Sequence, residues 1–262
     1  MSEIRLSIVT VTRNNRVGLT RTLNSVISQR AGLEAAEVIV VDGASSDGTV
    51  EYLSELSMRN LRWSSEPDRN VYDAMNKGMR TAVGDYQLYM NAGDIFADDH
   101  ALEAILAIAS SNPPWIVGGA VNLSAHPPIK IQNIPHRWIR HALGLQPHCH
   151  QSTVFSRQLM TVLGGYSEDF GLVGDFDLIM RAGMVAEPAI LERVIAAYEG
   201  GGMSAARDVD LPAQIAAVRR SRMQMPKYMI HLDGLFVRGL RLRRKMGIGA
   251  RLRGLRRGSA AT

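Results

Sequence analysis

The feature that most constrains this chain is a short apolar run that stops on a carboxylate, and it occurs twice. Val38-Ile39-Val40-Val41 ends on Asp42, and Tyr86-Gln87-Leu88-Tyr89-Met90 passes through Asn91-Ala92-Gly93 to Asp94. Continuous runs of this length, rich in β-branched residues, predict strands buried on both faces, the pattern of a parallel sheet. Ligands of open α/β sheets bind outside the carboxyl ends of the strands, so both acids are expected to face a cleft.

The neighbouring segments supply the rest of such a sheet. Leu6–Val11 alternates and predicts a first strand, followed by the polar loop Thr12–Asn15 and a helix over Val17–Gln29. Gly43–Thr49 is a turn cluster in which Ser46 or Asp47 can cap the next helix. Leu61–Ser64 predicts a third strand and Val71–Thr81 a helix. Strand and helix alternating at this spacing give an α/β fold with helices on both faces of the sheet. No Gly-x-Gly-x-x-Gly follows the first strand and no Gly-Lys-Ser/Thr occurs, which excludes a standard dinucleotide fold and a P-loop enzyme.

The second half is less regular. A helix is expected over Asp99–Ser110, strands over Trp115–Val121, Ile129–Ile131 and Ser152–Phe155, and a short or edge strand over Val194–Tyr198. His126-Pro127-Pro128 breaks the pattern, Gly174 opens a helix, Gly200-Gly201-Gly202 marks a mobile loop, and Pro212–Met223 is helical. The expected organisation is one domain over 1–226 and a basic helical extension over 227–262.

Charge separates these two parts. From Val237 onward the chain holds nine basic residues and no acid, so 21 of the 30 basic residues remain in the body against all 25 acids. This argues against a nucleic-acid-binding body and for a local anionic partner of the C-terminus. Phe236–Arg257 mixes leucines with arginines, so it is either a handle for an anionic membrane surface or a solvated end. The single Cys149 excludes an internal disulfide. Met1–Arg5 lacks the layout of a signal peptide, and no apolar run approaches the roughly 18 residues of a membrane span. The expected location is cytoplasmic, peripheral on the inner membrane face if the tail docks there.

Four acids are candidates for chemistry. Asp42 can accept from a base or ribose, or can close its turn. Asp94 can hold a hard cation, with the Asn91 amide oxygen nearby, or form an Asx turn; Gly93 suits close approach to a ligand or a tight turn. Asp175 and Asp177 open a helix, so either is a general base or both are acids favoured by the helix dipole. His148 and His150 flank Cys149, but a zinc site needs about four ligands and no second cluster is present. His150 can instead donate to a phosphate or sugar.

Five blocks of the chain resemble glycosyltransferase family 2, the inverting enzymes of GT-A fold. They are Val41–Thr49, Pro67–Gly78, Met90–Asp94, His150–Phe155 and Gly174–Leu178, in the family's order between about Leu6 and Ser204. The resemblance implies a Rossmann-like nucleotide-binding half with a mixed central sheet, then a half that builds the acceptor site. It implies transfer of a sugar from a nucleoside-diphosphate sugar to a hydroxyl of a saccharide or lipid-linked acceptor. Thr10 and Arg13 would line the nucleotide end of the first strand, Asp42 would hold the base, and Asp73 and Asn76 would lie near the nucleoside. Asn91, Gly93 and His150 would border the sugar diphosphate. Asp94 would bind Mg2+ or Mn2+, and Asp175 would be the catalytic base. Asn91 and Gly93 stand where the family carries aspartates, which leaves the metal requirement open. The rival readings are a sugar-phosphate nucleotidyltransferase and a catalytically silent nucleotide-sugar-binding partner.

Overall fold

The computed structural model describes residues 4–125, 127–199 and 210–245. The expected Gly200–Gly202 loop, His126 and the tail from Met246 lie outside the described residues.

The first half builds a parallel sheet from β1 (Leu6–Thr12), β2 (Ala36–Asp42), β3 (Leu61–Ser65) and β4 (Tyr86–Tyr89). β1 lies between β2 and β4, and β3 flanks β2. Every residue of β1 and β2 is buried, including Ser7, Thr10, Thr12 and Glu37, as central strands covered on both faces require. Leu6 and Ile8 point to one face, where they meet α1 (Arg16–Ile27), α2 (Thr49–Glu55) and α4 (Ala101–Ala109). Val9 and Val11 point to the other, against α3 (Val71–Thr81), α6 (Arg157–Leu163) and α7 (Gly174–Val185). The two-residue period of one strand thus feeds two cores.

The second half extends the same sheet with mixed polarity. β8 (Thr153–Ser156) pairs antiparallel with β4 and with β6 (Trp115–Asn122). β6 also pairs with β7 (Ile129–Ile131) and runs parallel to β9 (Ala189–Tyr198), which pairs in turn with the two-residue β5 (Ile95–Phe96). The expected edge strand over Val194–Tyr198 is therefore corrected: β9 has ten residues and lies between β6 and β5. Glu192 and Arg193 hid its first half by interrupting the apolar run. The register shifts beside Gly118 and Gly119, where Ile195 packs close over the β6 backbone.

Behind α7 lies a third core, formed with α5 (Trp138–Ala142) and α8 (Leu211–Arg222) around Val173, Phe176, Met180 and Val218. α9 (Lys227–Lys245) begins at the expected boundary and folds back onto α8. Asp233 of α9 is buried and accepts from Arg219 Nε at 2.9 Å and from Arg220 Nε at 2.6 Å. Arg219 is itself fully buried and also donates to the Ala142 carbonyl at 2.8 Å. Removing one partner of such a pair leaves an uncompensated buried charge. Asp233→Ala is expected to cost about 3–5 kcal/mol in urea unfolding; a loss under about 1 kcal/mol would show that the Arg219 charge finds other partners.

Candidate active site

The turn after β4 is fixed from below by α1. The buried Thr22 hydroxyl donates to the Asp94 carbonyl at 2.7 Å and accepts the Gly93 N–H at 2.9 Å. Asn15, which caps α1 by accepting from the Gly18 N–H, donates its Nδ2 to the Ala92 carbonyl at 3.0 Å. Gly93 takes φ +108°, a region that side-chain-bearing residues rarely adopt, although the space where a Cβ would sit is open. A side chain at this position is thus disfavoured by backbone conformation and not by lack of room.

The turn presents Asn91 and Asp94 to a cleft of about 790 Å3 that Tyr72, His148, His150 and Asp175 also line. Asp94 Oδ2 accepts the Asn91 N–H at 2.9 Å. Burial pushes the Asp94 carboxyl up to about 6, against hydrogen bonds from Gln151 and the Asn91 backbone that lower it. Asn91 Oδ1 is buried and has no hydrogen-bond partner among the described residues. A buried carboxylate beside an unpartnered amide oxygen is a set of hard donors that suits a divalent cation.

Asp175 and Asp177 take different roles. Asp177 is fully buried and clamped by Arg181 Nε at 2.8 Å and Arg222 Nε at 2.6 Å, which joins α7 to α8. Asp175 opens on the cleft. Its Oδ1 accepts from the Tyr72 hydroxyl at 3.3 Å and the Phe176 N–H at 2.8 Å, and among the described residues Oδ2 has no hydrogen-bond partner. Tyr72 stacks on Tyr166, with ring centroids 5.8 Å apart, and Tyr166 Oη lies 2.6 Å from His150 Nε2. His150 therefore forms part of the cleft wall with one ring nitrogen already engaged. Burial lowers its pKa and holds it neutral. His148 is held neutral as well, at about 3, by burial and by His141 and His136.

The remaining expected residues lie outside this cleft lining. Asp42 is buried and accepts from the Ser45 N–H at 2.9 Å, from the Ser65 hydroxyl at 2.6 Å and from the Ser45 hydroxyl. It thereby braces the loop after β2, the turn-closing alternative for this residue. Thr10 is fully buried in β1 with an unpartnered hydroxyl. Arg13 is exposed and lies over Gly43 next to Asp68. Asp73 is turned away to Arg69, whose guanidinium at 2.8 Å holds the carboxyl down at about 2. Asn76 exchanges both amide hydrogen bonds with the Tyr166 backbone, at 2.9 and 2.8 Å, and ties α3 to the segment before α7. Tyr72, Gln151 and Thr22 were not singled out in the sequence. Tyr72 follows from helical spacing, since it shares with Met75 the face of α3 that lines the cleft. No sequence signal marks Thr22.

The raised Asp94 pKa has a consequence for stability. A carboxyl that titrates at about 6 when folded and near 3.8 when unfolded binds its proton more tightly in the folded state. Stability therefore falls as pH rises from about 4 through 6, and the full cost, about 3 kcal/mol, is present above pH 7. In metal-free protein Asp94→Asn is expected to raise stability at pH 8 by up to about 3 kcal/mol and to change little near pH 4. Denaturant unfolding at both pH values measures this, and an equal effect at both would contradict the shift.

Comparison with known proteins accords with this geometry. The family model described as Glycosyl transferase family 2 matches residues 7–146. An uncharacterized glycosyltransferase of Mycobacterium tuberculosis is 33% identical over 210 residues, 78% of this chain and 78% of its own. A PGL/p-HBAD biosynthesis glycosyltransferase of Mycobacterium bovis is 29% identical over 219 residues, covering 78% of this chain and 80% of its own. Among solved structures, S. aureus TarS 1-349 in complex with UDP-GlcNAc aligns with TM-score 0.68 at 17% identity, over 89% of this chain and 70% of that one. The mannosyltransferase PcManGT from Pyrobaculum calidifontis, in complex with GDP-Man and Mn2+, aligns with TM-score 0.64 at 18% identity, over 90% and 70%. At these identities the two structures share the GT-A fold with this chain.

Proposed function

The chain belongs to glycosyl transferase family 2 and is a glycosyltransferase; from that premise we propose that it inverts the anomeric centre while moving a sugar from a nucleoside-diphosphate donor to a hydroxyl of a saccharide or glycolipid acceptor. One observation carries the reading. Of the two acids that open α7, only Asp175 lines the cleft that Asp94 also lines, while Asp177 is fully buried.

The roles follow from chemistry. The acceptor oxygen forms a bond to the anomeric carbon as the bond from that carbon to the diphosphate oxygen breaks. Asp175 takes the acceptor's proton on Oδ2, while Tyr72 and the Phe176 N–H hold Oδ1 and fix the carboxylate plane. Holding donor and acceptor in one cleft removes much of the entropic barrier. The diphosphate lies by the Asn91–Asp94 turn. The nucleoside extends over the loops after β1 and β2, where Arg13 is exposed and Asp42 braces the backbone.

Mg2+ or Mn2+ is the proposed cofactor, held by Asp94 and Asn91 together with the donor phosphates. Among the described residues no three His, Cys, Asp or Glu side chains form a cage for a metal, so the ion depends on those phosphates. When bound, it supplies positive charge that stabilises the departing diphosphate. The reaction belongs on the cytoplasmic side, and a lipid-linked acceptor would bring the enzyme to the membrane surface. Among the described residues no helix is long and apolar enough to cross a membrane.

Asp175→Asn is expected to lower turnover by about 10²–10⁴-fold while leaving donor binding intact. Initial rates with a nucleoside-diphosphate sugar, paired with thermal shift on the nucleoside diphosphate, measure both. Unchanged turnover in a folded variant would remove Asp175 from the role of base.

A further inference from the structure

α9 carries an apolar stripe that nothing in the described fold covers. Tyr228, Leu232, Leu235 and Leu242 are 69%, 64%, 62% and 59% exposed. Their spacing, with Gly239 between, is that of a single helical face about 21 Å long. The opposite face holds buried Val237 and Asp233 and packs on α8. The outward direction of the stripe is therefore set by the fold. Isolated exposed leucines are ordinary, but four large apolar side chains aligned along one helix are a surface with a purpose.

Charge identifies the occupant. Lys227, His231 and Arg238 lie exposed along one border of the stripe. The only acid of α9 is Asp233, which is buried against Arg219 and Arg220. The sequence then runs on through Arg251, Arg253, Arg256 and Arg257 without an acid. A second copy of the helix would bring like charges together along the stripe with no acid on it to answer them. A helix with an apolar face and a cationic border complements an anionic lipid surface, with the leucines among the acyl chains and the basic groups at the headgroups.

We propose that α9 docks the enzyme on an anionic bilayer through Tyr228, Leu232, Leu235 and Leu242. The contact begins eight residues before the leucine- and arginine-rich segment at Phe236 that the sequence marked as a handle. It also has a direct line to the catalytic cleft. Asp233 ties α9 to Arg219 and Arg220 of α8, and Arg222 of α8 ties to Asp177, two residues from Asp175 on α7. Docking α9 therefore sets the height and tilt of the cleft above the lipid. The proposal goes beyond the transfer reading and is measured without turnover, so either can fail alone.

The test is sedimentation of the full chain with vesicles of phosphatidylcholine and with equal mixtures of phosphatidylcholine and phosphatidylglycerol. The protein is expected to pellet with the mixture, to stay in solution with phosphatidylcholine, and to be released by salt. The double variant Leu232→Gln/Leu235→Gln, checked for folding by circular dichroism, is expected to bind at least about tenfold more weakly. Arg238→Gln is expected to bind about fivefold more weakly. Undiminished binding of the double variant would assign the contact to the arginine-rich end and overturn the proposal. So would equal binding to both vesicles, binding to neither, or a solution dimer that the double variant dissociates and vesicles do not.

Discussion

A hydroxyl from the middle of α1 and an amide from its N-cap hold the turn after β4, and the cleft is arranged around that turn. Thr22 bonds both the Gly93 N–H and the Asp94 carbonyl, and Asn15 holds the Ala92 carbonyl. The backbone of the turn is then determined, including the positive φ of Gly93. With the backbone fixed, Asp94 is buried at a position where its charge is unfavourable without a cation. A positive charge beside the carboxylate would offset the cost that burial imposes on it.

A second constraint runs through buried ion pairs. Asp177 is held by Arg181 and Arg222, and Asp233 by Arg219 and Arg220, so α7, α8 and α9 are joined by charges that cannot separate cheaply. Asp175 sits at the start of this assembly, where the α7 dipole favours its negative charge. Asp175 thus combines a place in the first turn of α7 with access to the cleft, whereas Asp177 is buried between two arginines. Tyr72, Tyr166 and His150 form a further chain of contacts along the cleft wall, and one member bonds Asp175 directly.

Much of this was legible in the chain. The apolar runs ending at Asp42 and Asp94 placed both acids at the carboxyl edge of the sheet, and the helix opening at Gly174 placed Asp175 and Asp177 together. What the pattern could not assign was side-chain direction, whether the partner is near or far along the chain. Asn76 faces the backbone of Tyr166, 90 residues on. Asp73 turns to Arg69, and Asp42 closes on Ser45 and Ser65. β9 was seen only in its last five residues because Glu192 and Arg193 interrupt the run that pairs with β6. Thr22 looks like any helical threonine until the turn it supports is in view.

The central claim of the proposed function is that Asp175 serves as base while the diphosphate leaves by the Asn91–Asp94 turn, so that the acceptor attacks from the face opposite the departing diphosphate. The most direct measurement is the anomeric configuration of the product, read from the proton–proton coupling at the anomeric position in NMR. An α-configured donor is expected to give a β-linked product. An α-linked product from that donor would mean retention, and would contradict the placement of base and leaving group.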